Sequence, residues 1–213
     1  MLKTIFNLWL FTFLLFLFLF PAADLQAQDS TRPLRSEIYR KRKEFNFQFL
    51  CLKKALEHPN PDEVYEIYIQ GQYCTDETEG FPIEVIRFKN LKTLIFSHGI
   101  TINYLPKEIE QLEKLEVLIL EGCSLKEVAP HIGALKNLKV LHLSFTSINE
   151  LPPEILQLKN LRYLNLLFTR FEAFPTLLEK MENLEVVDFH GKSCATVPPE
   201  LKKKGAKPWV RCD

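Results

Sequence analysis

The sequence predicts an α/β solenoid, with one short parallel strand per coil stacked into a single sheet. Three observations carry that reading. From Leu105 the chain repeats with a fixed period of 23 residues, each row holds three apolar columns in one register, and each row changes from helical to strand spacing at the same place. The rows are "LPKEIEQLEKLEVLILEGCSLKE" from 105, "VAPHIGALKNLKVLHLSFTSINE" from 128, "LPPEILQLKNLRYLNLLFTRFEA" from 151 and "FPTLLEKMENLEVVDFHGKSCAT" from 174, with a stub, "VPPELKKKG", opening at Val197. Leu115, Leu138, Leu161 and Leu184 share one column; Leu118, Leu141, Leu164 and Val187 share a second; Leu120, Leu143, Leu166 and Phe189 share a third. One row cannot bury its own leucines, so only stacking makes a core.

The elements follow in chain order. Met1 to Ala27 has one basic residue, Lys3, then an apolar run from Leu8 to Phe20, then Pro21 and small residues ending in "LQA". That order predicts a secretory signal peptide over 1–27, cut after Ala27, because the run is shorter than the roughly 20 residues a membrane span needs. An uncleaved leader anchoring the chain in a membrane is the alternative. Residues 28–63 are expected to form a linker and an N-terminal capping helix. The helix is "FQFLCLKKALEHP" (47–59), which brings Phe49, Leu52 and Leu56 to one face and ends at Pro59. Repeats are expected over 64–201, beginning with a degenerate row around Val64, Ile67 and Ile69. "FPIEVIRFKNLKTLIFSHGITINY" (81–104) fits the period with one extra residue. Within each row "LxxLxL" ends in the period-two alternation of a strand, and "PEILQL" has helical spacing after a proline suited to a first turn. Residues 202–213 are expected to be a short C-terminal cap that lays Trp209 and Val210 over the last row.

These rows resemble the leucine-rich repeat family in its 23-residue form, "LPxxIxxLxxLxxLxLxxN", in the manner of its exported bacterial members. The resemblance covers about Val64 to Leu201. It implies a horseshoe-shaped solenoid with a parallel sheet on the concave side, looser turns on the convex side, and function by protein binding. At the ninth position of "LxxLxLxxN" the family places a buried asparagine that bonds the adjacent turn. This chain has Gly99, Cys123, Thr146, Thr169 and Lys192 there. The expected consequence is a thinner hydrogen-bond ladder and a less rigid coil.

Charge excludes two partner classes. Lys+Arg and Asp+Glu stand at 27 each, and loss of the leader, with its Lys3 and Asp24, keeps the balance neutral. Such a chain has no field to hold nucleic acid or an anionic membrane, and the basic run Arg40–Lys43 reads as a solvated helix face. Of the five cysteines, Cys123 lies in the ladder column, while Cys74 and Cys194 fall in the buried column of Leu125, Ile148 and Phe171. In an exported chain, Cys51–Cys74 and Cys194–Cys212 would each tie a cap to a row; five free thiols are the open alternative.

Residues between the leucine columns point to the opposite side of each strand. There Phe145, Tyr163, Leu167 and Phe168 gather on two neighbouring rows beside Ile119, Val140, His142 and Asn165, which predicts a binding patch of those eight residues. No catalytic, metal or cofactor site is expected. His142, Asn165 and Asp188 share a column and Ser144 is two residues from His142, but about 6.5 Å along a strand is beyond hydrogen-bond reach, and no zinc spacing is present. The sequence therefore predicts a secreted, monomeric, non-enzymatic module for a protein partner; a surface component acting by self-association is the alternative.

Overall fold

The computed structural model describes residues 52–70, 80–97, 100–203 and 205–212, all within the unit Asn46–Asp213. The leader, Arg40–Lys43, Phe49, Cys51, Gly71, Cys74, His98 and Gly99 lie outside the described residues, so the expectations placed on them are not addressed by the fold.

Seven parallel strands pair in sequence order: β1 (Glu66–Gln70), β2 (Thr93–Ser97), β3 (Val117–Leu120), β4 (Val140–His142), β5 (Tyr163–Asn165), β6 (Val186–Phe189) and β7 (Trp209–Cys212). The pairing register is the sequence period itself: Leu118 opposes Leu141, which opposes Leu164, which opposes Val187. All three leucine columns are buried, as are the apolar residues opening the turns, such as Ile109, Ile132, Ile155 and Leu178. Stacking therefore builds one continuous core.

Between strands, the side opposite the sheet runs through 3-10 helices at Ile83–Arg87, Lys107–Gln111, Pro130–Ala134, Pro153–Gln157 and Thr176–Lys180. Each is five residues long. Each closes by a bond from the N–H of the following residue to a carbonyl three back, as from Leu158 to Ile155 at 3.1 Å. The prolines at the entrances fix φ and need no amide partner, which suits these short, tight turns.

The ladder position keeps its side-chain bonds where threonine stands. Thr146 and Thr169 do bond, each donating its hydroxyl at 2.7 Å to the carbonyl three residues earlier, Leu143 and Leu166. In the next row the Ser193 hydroxyl donates to the His190 carbonyl at 2.9 Å. A recurrent set of links between rows comes from a different column, the residue just before the first leucine. Asn90, Asn137, Asn160 and Asn183 each donate at 2.8 Å to a backbone carbonyl of the preceding row. Lys114 fills the same column in the remaining row and donates to the Asn90 side chain at 2.6 Å. Asparagine serves because its amide carries two donors on a short stem.

At the N-terminal end α1 (Leu52–Leu56) covers the first row with buried Leu52 and Ala55, in the place expected of a cap. The C-terminal end differs from expectation. The tail does not merely lie over the last row; it adds a seventh strand, in which Val210 opposes Val187 and is buried like a leucine-column residue. The alternation in "WVRC" suffices to extend the sheet. The expected Cys194–Cys212 bridge is not formed, since Cys212 carries a free thiol. The register sets Cys212 beside Phe189, at the exposed end of the edge strand, whereas Cys194 is half-buried in the following 3-10 helix, Gly191–Thr196. Cys123 is buried, and desolvation, with a smaller push from the Glu121 charge, raises its thiol pKa to about 12.

Candidate functional site

The outward face of the sheet divides the eight residues expected to form a binding patch. Ile119, Val140, Tyr163 and Asn165 are buried, His142 and Leu167 are half-buried, and only Phe145 and Phe168 are exposed, at 48% and 46%. Two different structures account for this.

The first is a polar belt. Register places His142, Asn165, Asp188 and Arg211 side by side on β4, β5, β6 and β7. Asn165 and Asp188 are only 1% and 2% exposed, so their polar atoms require partners within the protein. Arg211 grips the Asp188 carboxylate through Nε and, at 2.6 Å, through Nη2. The Tyr163 hydroxyl donates to the same carboxylate and accepts from Asn165 Nδ2 at 3.2 Å. Tyr163 is thus bonded into the belt.

The belt also fixes the state of His142. Asn165 Oδ1 accepts from the Leu167 amide at 2.9 Å, which assigns the other end of that side chain as Nδ2. That Nδ2 faces His142 Nε2 at 2.8 Å, so Nε2 must accept and the neutral ring carries its proton on Nδ1. Ser144 Oγ lies 3.3 Å from that Nδ1. Here the sequence reading was wrong: the backbone separation along the strand overstated the distance, because the two side chains lean together. The contact is nonetheless unsuited to nucleophilic catalysis. A base must accept the serine proton, whereas this ring donates to the serine, and Ser144 is buried. Among the described residues, no three His, Cys, Asp or Glu side chains converge to hold a metal ion.

The second structure is aromatic. Phe145 and Phe168 occupy the turns closed by Thr146 and Thr169, with left-handed φ of 55° and 54°. That conformation brings Cβ close to the following carbonyl and costs an L-residue roughly 1–2 kcal/mol. Their rings stack with centroids 4.4 Å apart, and Phe168 lies 4.2 Å from the His190 ring.

Arg211 was missed in the sequence because its strand was read as a tail. Its signal was available: Val210 sits where a leucine-column residue belongs, which puts Arg211 beside Asp188. His190, whose ring lies against Phe168, was not among the residues expected in the patch.

The chain matches the family model described as a leucine-rich repeat region over residues 83–203. Among solved structures it is similar to a leucine-rich repeat protein of Leptospira interrogans, with 28% identity and a TM-score of 0.52, over 68% of this chain and 41% of that one. It therefore spans less than half of that protein's length. It is also similar to the leucine-rich repeat ectodomain of a plant membrane receptor kinase from Arabidopsis thaliana, solved in complex with Casparian strip integrity factor 2. There the identity is 23% and the TM-score 0.44, over 62% of this chain and 16% of that one. No curated protein matches the sequence at a significant level. The repeat period, the seven-strand register and the family match together place the chain in the leucine-rich repeat family.

Proposed function

We propose that the chain is an exported, non-enzymatic binding module that recognises a protein partner, as a monomer, through the outward face of its strands. The observation that carries this reading is the contrast on that face. The polar side chains of the belt are bonded to one another, while two large apolar rings face outward. A surface whose polar groups are already bonded internally, and whose exposed area is aromatic, suits burial against another macromolecule better than chemistry on a small substrate. The repeat fold supports the same reading, because stacked rows supply an extended surface. The apolar leader supports export.

The test has two arms. Mass spectrometry of the secreted protein is expected to find a chain starting at Gln28 or within a few residues of it; an intact Met1 on membrane-embedded protein would contradict export. Cross-linking in the native extracellular fraction, followed by analytical ultracentrifugation of the purified chain, is expected to give a specific adduct with another protein and a monomer when alone. Concentration-dependent self-association without such an adduct would favour the structural, adhesive reading instead.

A further inference from the structure

One backbone column holds the same conformation in four successive rows but not the same kind of residue. Gly122, Phe145, Phe168 and Gly191 all have left-handed φ, at 68°, 55°, 54° and 79°. Glycine takes that conformation at no steric cost, whereas for a bulky side chain it is an outlier. The coil therefore requires this turn in each of these rows, and the rows of β3 and β6 meet it with the residue that fits. The rows of β4 and β5 meet it with phenylalanine, and about half of each ring remains exposed, so burial does not explain the choice. Strain held in consecutive rows, on the outer face, points to a role outside the fold.

The surroundings restrict what could cover these rings. The side chains facing the same way on β4 and β5 are Val140, His142, Tyr163 and Asn165, with Ser144 and Leu167 just beyond; none carries a fixed charge. Asp188 and Arg211 are bonded to each other. Glu121 precedes Gly122, which holds this column in the row of β3. An acidic segment would lose hydration over these uncharged side chains, whereas an apolar one would bury aromatic area without stranding a charge.

We propose that Phe145 and Phe168 form a docking ridge for an apolar segment, free of acidic residues, of a protein partner; this rests on the protein-binding reading above. The experiment pans a peptide-display library against the full chain. It then measures the selected peptides on wild type, on the double variant Phe145→Gly/Phe168→Gly, and on Tyr104→Ser, which removes an exposed aromatic from another turn. Expected are peptides rich in aromatic and aliphatic residues and poor in Asp and Glu. Their affinity should fall about 30-fold or more in the glycine variant and be unchanged in Tyr104→Ser. Because glycine fits the turn, the glycine variant should melt within about 3 °C of wild type.

Several outcomes overturn the proposal. Selected peptides that bind the glycine variant as tightly as wild type would remove the ridge and leave the protein-binding reading standing. Acidic peptides would remove the stated partner chemistry. A fall in Tm of more than about 10 °C would show the rings to be part of the core. Self-association of wild type that disappears in the glycine variant would make a second copy the occupant. No peptide enriched above background would count against both the ridge and the protein-binding reading.

Discussion

The two faces of the sheet are built on different rules. On the inner face each row repeats its neighbours, so Leu118, Leu141, Leu164 and Val187 are interchangeable in role and all fully buried. On the outer face the columns mix residue types. Val140 opposes Tyr163 and His142 opposes Asn165, while Asp188 opposes Arg211, and burial there depends on which particular residues meet. The lesson is that repetition guarantees a core, whereas the outer face has to be solved row by row.

The largest effect that can test this contrast is on the inner face. Leu164→Ala should cost about 2–5 kcal/mol in urea unfolding, because a fully buried leucine leaves a cavity that stacked rows cannot close. A cost below about 1 kcal/mol would mean that the rows relax independently. On the outer face, Arg211→Met leaves Asp188 buried without its cation. Breaking such a pair costs up to about 3–5 kcal/mol when fully buried; the Arg211 side chain is 19% exposed, so about 2–3 kcal/mol is expected. Detachment of β7 should accompany it, seen as faster amide exchange at Val210. If the variant is as stable as wild type, the belt does not hold the edge strand.

Between rows, Asn160→Ala should cost about 0.5–1.5 kcal/mol by removing the donor to the Lys136 carbonyl. Neutral stability would mean that water replaces the bond at this exposed site. The smallest effect is chemical. With its pKa raised to about 12, Cys123 stays a thiol well above neutral pH, so iodoacetamide at pH 8 should label it only in denaturant. Rapid labelling of the folded chain would show that its row opens.

Sequence made the inner face legible because burial there is a property of a column, and columns can be counted. Leu115 to Leu184 needed only the period. The Asn90, Asn137, Asn160 and Asn183 column was equally countable, though spacing alone does not show that its amides bond the preceding row. The outer face was legible only as a set of candidates. Which of them bond depends on side-chain lean, as between Ser144 and His142, and on strand membership, as for Arg211. Neither follows from spacing. The left-handed turns of Phe145 and Phe168 were foreshadowed by glycines in their own column, Gly122 and Gly191.

The claim that the outer polar residues act as one network, and not as separate neighbours, can be measured in a double-mutant cycle. Tyr163→Phe and Arg211→Met each remove a donor to the same carboxylate, Asp188, from different strands. Unfolding free energies of both single variants and the double variant should give a coupling of about 1 kcal/mol or more, since the two donors share one buried acceptor. Additivity to within about 0.3 kcal/mol would show that Tyr163 and Arg211 act independently, and would contradict the belt.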